Sequence, residues 1–108
     1  MRNSTFYYKN KSEDEKKEYW IKHNIENRFR SSISRAKKYN RLPKWANKEK
    51  MKEYYKDAVL LCQNGDIKYE VDHIIPLNGN NVCGLHVENN LKIITREENL
   101  QKNNFLMD

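Results

Sequence analysis

The sequence YEVDHIIPL, residues 69–77, decides the fold that the rest of the chain must fit. Its β-branched and aromatic residues predict a strand over residues 68–75, and Pro76 should end that strand because proline cannot donate to a sheet ladder. The following NGNN, residues 78–81, is typical of a reversal in chain direction. The sequence therefore predicts a strand that stops at a polar turn.

The chain beyond this turn predicts a return strand and a helix. LKIIT, residues 91–95, has the apolar and β-branched character of a second strand. Thr95 and Glu98 then fit a capping box, which predicts a helix that runs to about Asn103. The order from residue 67 onward is therefore strand, loop, strand and helix.

The first half of the chain predicts two helices after a flexible polar arm at residues 1–11. Ser12 and Glu15 fit a capping box, and residues 40–43 end this helix because the residue before a proline avoids helical geometry. A second helix is expected over about residues 47–62. Apolar residues spaced along one helical face are Ile21, Ile25, Phe29, Ile33 and Ala36 in the first helix, and Met51, Tyr55, Ala58, Val59 and Cys62 in the second.

Length and composition indicate one α+β domain of 108 residues, in which a helical region at 12–62 precedes the strand–strand–helix unit at 67–104. No apolar run has the length of a membrane span, and no segment near the start resembles a signal peptide. The two cysteines, Cys62 and Cys83, are too few for a disulfide framework. We therefore expect a protein of a reducing cytoplasm with no membrane partner.

Charge is divided unequally between the two halves of the chain. Residues 1–60 carry 17 Lys and Arg against 8 Asp and Glu, a net of +9, whereas residues 61–108 carry 4 against 7, a net of −3. A basic half with several arginines indicates a region that binds a polyanion, because guanidinium forks match phosphate geometry. Nucleic acid is the expected partner. The alternative is a solvated helix whose lysines serve only solubility.

Reactive side chains gather in the second half. Asp72 and His73 lie near the end of the first predicted strand, and His86 lies in the loop. Asn90 precedes the second strand and Asn99 lies in the last helix. A carboxylate with amide oxygens suits a hard cation such as Mg²⁺, and a histidine beside it suits a general base. Taken alone, the Asp-His pair is better explained as a turn cap and an ordinary half-buried histidine.

Several separately spaced elements together resemble the HNH (ββα-metal, His-Me finger) endonuclease family, and in particular its small phage-type members. They are YEVDHIIPL, Gly84-Leu85-His86, Asn90-Leu91 and Glu98-Asn99-Leu100 with Lys102 and Asn104, after a lead-in RLPKWA at residues 41–46. The resemblance covers residues 41–104. It implies that two strands and a helix hold one divalent cation, Mg²⁺ or Mn²⁺, against a scissile phosphate.

The resemblance also implies a role for each matching residue. Asp72 and Asn99 would be the metal ligands, and His73 would be the base that activates water. Asn90 would hold the loop in place through hydrogen bonds to the backbone. The family often has histidine where this chain has Asn99, so affinity for softer metals should be weaker. The implied activity is hydrolysis of DNA to 5′-phosphate and 3′-hydroxyl ends, in a bacterial or phage-infected host.

Some assignments stay open at this point. His86 either contacts the phosphate or leaving oxygen, or it braces the loop. A zinc site of Cys83, His86 and His73 is an alternative, although structural zinc prefers four nitrogen or sulfur ligands. Lys102 and Asn104 either contact phosphate or cap the helix end. The residues expected to bind DNA are Arg28, Arg35, Lys38, Arg41, Lys44 and Lys102.

The rival function is a non-catalytic DNA-binding protein on an HNH-like fold, and a weaker one is an RNA-binding helical module. Retention of all four motif residues favours the enzyme, which would need a homodimer to cut both strands. One geometric condition applies. Adjacent strand residues point to opposite faces, so Asp72 and His73 can serve one phosphate only if the strand bends or ends there.

Overall fold

The computed structural model describes residues 11–63 and 65–106, with side chains described as far as Lys102. The predicted arm, apart from Lys11, therefore lies outside the described residues, as do Asn64 and the side chain of Asn104. The described residues form three helices and a two-stranded sheet, which confirms the α+β class. These are α1 (Glu13–Lys38), α2 (Lys48–Gln63), β1 (Tyr69–His73), β2 (Leu91–Thr95) and α3 (Arg96–Leu106), with a short 3₁₀ turn at Glu88–Asn90 before β2.

Helix α1 begins and ends where its local sequence directs. The Ser12 hydroxyl accepts from the Glu15 amide, and the Glu15 carboxylate accepts from the Ser12 amide, so the predicted capping box is confirmed. At the other end, Asn40 adopts a left-handed conformation with φ 56°. The Arg41 amide donates to Ala36 O at 2.8 Å, which completes a Schellman-type ending.

Helix α2 lies between α1 and the sheet. The five residues predicted to face inward, Met51, Tyr55, Ala58, Val59 and Cys62, are all buried. Met51 and Tyr55 form a core cluster with Leu91 of β2, and Phe29 and Ile33 of α1 pack against it. The apolar stripe predicted for α1 is less buried than that of α2, since Ala36 is its buried member and the others are half-buried.

Strand β1 pairs antiparallel with β2 in a register that sets His73 opposite Leu91. The predicted strand over residues 68–75 is correct for 69–73 and wrong at its ends. Beyond His73 the Ile74 amide still donates to Asn90 O at 2.9 Å, in register with the ladder, but the Asn90 amide donates to Val87 O instead of returning to Ile74. Ile75 N then donates to the Asn90 side chain at 2.8 Å, so the ladder ends. The prediction for β2 at residues 91–95 is confirmed.

Helix α3 packs on the face of β1 opposite the core. Val71 packs against the core cluster, whereas Glu70 and Asp72, which leave the other face, contact side chains of α3. The predicted capping box at the start of α3 is confirmed: the Glu98 amide donates to the Thr95 hydroxyl at 3.1 Å. The helix runs three residues beyond the predicted end, to Leu106.

Candidate active site

The last two residues of β1, Asp72 and His73, lie at a cleft. Two adjoining hollows of about 540 and 640 Å³ make up this cleft, and they share the lining residues Arg35, Asp72, His73, Leu77 and Asn99. Since β1 ends at His73, the cleft extends around the strand end and both neighbours line it. The condition set by strand alternation is therefore met by the end of the strand.

Asp72 is paired with a lysine of α3. Lys102 Nζ lies 2.6 Å from Asp72 Oδ2 and 2.7 Å from the backbone oxygen of His73. The lysine and carboxylate side chains are 23% and 19% exposed, so this ion pair is largely shielded from water. Lys102 therefore anchors α3 to the end of β1 and sets a positive charge beside the carboxylate.

Asn99 reaches the same region from α3 and is held by a residue that the sequence analysis missed. Its side-chain nitrogen donates to Glu70 Oε2 at 2.7 Å. Glu70 is two residues before Asp72, and the two-residue period of a strand would have placed it on the same face. Because the bond uses the amide nitrogen, Asn99 keeps its amide oxygen as the atom that could serve a cation.

His73 belongs to a chain of hydrogen-bonded side chains. Its Nε2 lies 2.9 Å from His86 Nδ1, and His86 Nε2 lies 3.2 Å from the hydroxyl of Ser32 on α1. His86 is fully buried, and its backbone amide donates to Arg41 O at 2.8 Å. The described residues that line the cleft do not include His86, so its side chain supports His73 from behind. The sequence analysis missed Ser32.

Both histidines are held toward the neutral form. Burial lowers the pKa of His73 below its ordinary 6.5; the negative charge of Asp72 opposes this shift, and the positive charges of Arg35 and Lys102 add to it. Burial, together with the neighbouring His73, lowers the pKa of His86 to about 4. A neutral imidazole at the cleft can accept a proton near neutral pH.

Asn90 fixes the loop that follows β1. Its side-chain oxygen accepts from Ile75 N at 2.8 Å, and its nitrogen donates to Ile75 O at 2.9 Å and Leu85 O at 2.8 Å. Gly84 lies against this amide, and a Cβ there would come within 2.7 Å of the Asn90 side chain and 2.4 Å of Ile75 O. The loop therefore closes on Asn90 at a position where only glycine fits.

The residues predicted to bind DNA divide into four groups. Arg28 donates to Tyr69 O at 3.3 Å and Arg41 donates to Leu77 O at 3.2 Å, so these two half-buried arginines support the backbone near the site. Arg35 is exposed and lines the cleft. Lys38 and Lys44 are exposed away from it, and Lys102 is paired with Asp72 as described.

The cysteines do not join the histidine pair. Cys83 is exposed, with its sulfur 3.8 Å from Gly79 O, and Cys62 is a buried thiol against the backbone of Tyr69. Among the described residues, no three His, Cys, Asp or Glu side chains form a group suited to a metal ion. The zinc alternative of Cys83, His86 and His73 therefore has no counterpart in this geometry. The pair of Asp72 and Asn99 includes an amide and is a different kind of site.

Comparisons with protein-family models, with curated proteins and with solved structures found no match to this chain. Within residues 11–63 and 65–106, no helix combines the length and the apolar character needed to cross a bilayer. The site is therefore interpreted from its own geometry.

The Asn90 contacts generate a stability prediction. Asn90→Ala would leave the Ile75 amide and two carbonyls without their side-chain partner. An unpaired buried group costs about 1–3 kcal/mol, but Ile75 and Leu85 are partly exposed, so water can replace some of the lost bonds. We expect the free energy of unfolding to fall by about 2–3 kcal/mol in urea denaturation. Asn89→Ala, at the exposed neighbouring position, should change it by less than about 0.5 kcal/mol. Equal effects of the two variants would contradict this account of the loop.

The lowered pKa of His86 generates a pH prediction. The unfolded side chain titrates near 6.5 and the folded one near 4, so the unfolded state alone gains a proton as pH falls through this window. Stability should therefore be full above pH 6.5 and should fall toward pH 4, by up to about 3 kcal/mol at roughly 1.4 kcal/mol per pKa unit. His73 should add to the fall in the same direction.

The measurement is urea unfolding of the parent, His86→Asn and His23→Asn at several pH values above 4.5. Below that value the hydrogen-bonded carboxylates Glu15 and Glu98, whose pKa values are lowered from 4.5, also lose their contribution. His86→Asn should flatten the dependence, and His23→Asn, at an exposed position, should not. A parent stability that does not change with pH in this window would show that His86 is not held neutral.

Proposed function

We propose that this protein is a metal-dependent HNH endonuclease that hydrolyses DNA phosphodiester bonds, with β1, β2 and α3 as its ββα-metal unit. One observation carries the proposal. Asp72 and His73, adjacent at the end of β1, line one cleft with Asn99 of α3, while Asn90 holds the chain that follows. A carboxylate, an amide oxygen and a neutral imidazole in one cleft are the groups that hydrolysis of a phosphodiester requires.

The donor set fits a hard divalent cation, either Mg²⁺ or Mn²⁺. Asp72 would supply a carboxylate oxygen and Asn99 an amide oxygen, and an ion of this kind keeps several waters and takes few protein ligands. Lys102 Nζ contacts Oδ2 of Asp72, so a cation would bind through the other carboxylate oxygen or displace the ammonium. A bound ion would polarise the phosphoryl oxygen and assist the leaving oxygen.

The remaining work falls to residues of the chain. Neutral His73 takes a proton from water as the water oxygen bonds to phosphorus and the bond to the 3′ oxygen breaks, and the leaving 3′ oxygen takes a proton from a second water. Asn90 keeps His73 at the strand end by holding the next two residues. Arg35, exposed at the cleft wall, carries fork-shaped donors that can pair with the phosphate.

The basic surface of the helices supports DNA as the substrate. Exposed cations of α1 and of the segment after it, which we infer to contact the phosphate backbone, are Arg30, Arg35, Lys37, Lys38 and Lys44. Contacts of this kind position the duplex and carry little sequence information, so sequence preference should be modest. The free thiols of both cysteines fit a reducing cytoplasm, and cutting of both strands would require two copies of the chain.

The first test of this function is cleavage of supercoiled plasmid with Mg²⁺ or Mn²⁺. The parent should nick the DNA, and chelator should abolish the activity. His73→Ala should lower the rate by about 10²–10⁴-fold, the usual contribution of a general base, while DNA binding persists. His23→Ala, at an exposed position on α1, is the control. A parent that binds DNA but never cuts it would favour the non-catalytic DNA-binding protein.

The second test measures the ion directly by calorimetry. Asp72→Ala removes the charged ligand and should lower the affinity for Mn²⁺ at least tenfold, which corresponds to about 1.4 kcal/mol. Asp66→Ala, an exposed carboxylate in the turn before β1, should leave the affinity unchanged. If both variants bind Mn²⁺ as the parent does, the metal site is not at Asp72.

A further inference from the structure

A series of three hydrogen bonds runs from the backbone of α1 to the proposed base. The Ser32 hydroxyl lies 2.6 Å from Phe29 O, His86 Nε2 lies 3.2 Å from the Ser32 oxygen, and His73 Nε2 lies 2.9 Å from His86 Nδ1. Hydrogen bonds thus join four residues from three parts of the chain, one after another. His86, the central member, has no exposed surface.

The donors and acceptors of this series can be assigned from one fixed end. A carbonyl oxygen only accepts, so the single proton of the Ser32 hydroxyl goes to Phe29 O. Toward His86 the Ser32 oxygen must then accept, which requires a proton on His86 Nε2.

The assignment continues from His86 to His73. A buried neutral imidazole that carries its proton on Nε2 has a bare Nδ1, which can only accept. His73 must therefore donate to it from Nε2, and its own Nδ1 is left without a proton. The direction of each bond follows from the bond before it, and the serine on α1 sets the whole series.

We propose that Ser32 and His86 are positioning residues that fix His73 in one tautomer, with Nε2 protonated and Nδ1 as the nitrogen that receives the proton from water. The catalytic part rests on the proposed function, whereas the tautomer is a property of the protein alone. When Nδ1 takes a proton, the Nε2–H of the resulting imidazolium still donates to His86. The histidine pair therefore holds the ring in one orientation before and after proton transfer.

The first experiment observes the tautomers without metal or DNA. The full chain is labelled with nitrogen-15, and two-bond correlations between the ring protons and nitrogens are recorded near neutral pH. Signals are assigned from their loss in His73→Gln, His86→Asn and His23→Gln. We expect both His73 and His86 to be protonated at Nε2 and bare at Nδ1. A proton on Nδ1 of either ring, or averaged signals for His73, would overturn the proposal.

The second experiment measures cleavage at saturating DNA. Ser32→Ala removes the acceptor for His86 Nε2 and should lower kcat by about 10- to 100-fold, as is typical when a partner that orients a functional imidazole is lost. KM should not change, because Ser32 is not proposed to bind DNA. Ser34→Ala, an exposed serine on the same helix, is the matched control. Equal kcat values for the two variants would contradict a positioning role for Ser32.

A rescue separates orientation from simple support of the fold. His86→Asn keeps an acceptor oxygen where Nδ1 was, whereas His86→Leu does not, so the asparagine should recover part of the activity that leucine loses. If the tautomers are as expected but the parent never cleaves DNA, the proposed function is wrong, and the assignment of the His73 tautomer to Ser32 and His86 is still correct. If the parent cleaves DNA while His73 carries its proton on Nδ1, the proposed function is correct and the assigned tautomer is wrong.

Discussion

The carboxamide of Asn90 is the contact on which the geometry of the cleft depends. Its oxygen takes the Ile75 amide and its nitrogen takes two carbonyls of the same loop, while the Asn90 backbone amide donates to Val87 O in place of a second ladder bond to Ile74. This substitution ends β1 at His73, so two neighbouring side chains with opposite directions both reach one cleft. It also explains why the loop needs Gly84, whose missing Cβ leaves room for the amide.

Beside the Asn90 contacts, the cleft brings a shielded carboxylate and two positive side chains together. The shielded carboxylate of Asp72 has Lys102 against it, and Arg35 lines the same cleft. His73 beside them stays neutral, because burial and two positive neighbours oppose its protonation more than Asp72 favours it. Thus a positive environment for phosphate and an uncharged base can exist together. Burial of the ring is what makes the two compatible.

Much of the fold could be predicted from the sequence because its signals are local. Both capping boxes and the buried face of α2 depend on residues a few positions apart, and each is confirmed. The overlong strand prediction has the opposite cause. Ile74 and Ile75 have strong β propensity, and no local signal tells that the side chain of Asn90, fifteen residues after Ile75, takes the Ile75 amide.

The residues of the candidate site that belong to a motif could be predicted from the sequence. Residues whose role depends on one partner far away in the sequence could not. Arg28 and Arg41 have the chemistry of phosphate binding, but each donates to a backbone carbonyl more than thirty residues away. Ser32 gave no signal at all, since a serine on a helix is common and its partner is brought close only by the fold. Glu70, in contrast, could have been found from the period of the strand.

The packing of the sheet decides whether the strand–strand–helix segment could keep its structure in another protein. The inner face of the sheet packs on the helical region: Val71 and Leu91 pack with Met51 and Tyr55, which belong to α2. His73 is likewise supported from α1, through His86 and Ser32. A graft of the strand–strand–helix segment onto another protein would therefore carry the motif but leave its apolar face and its base without support. The helices and the motif therefore form one folded unit.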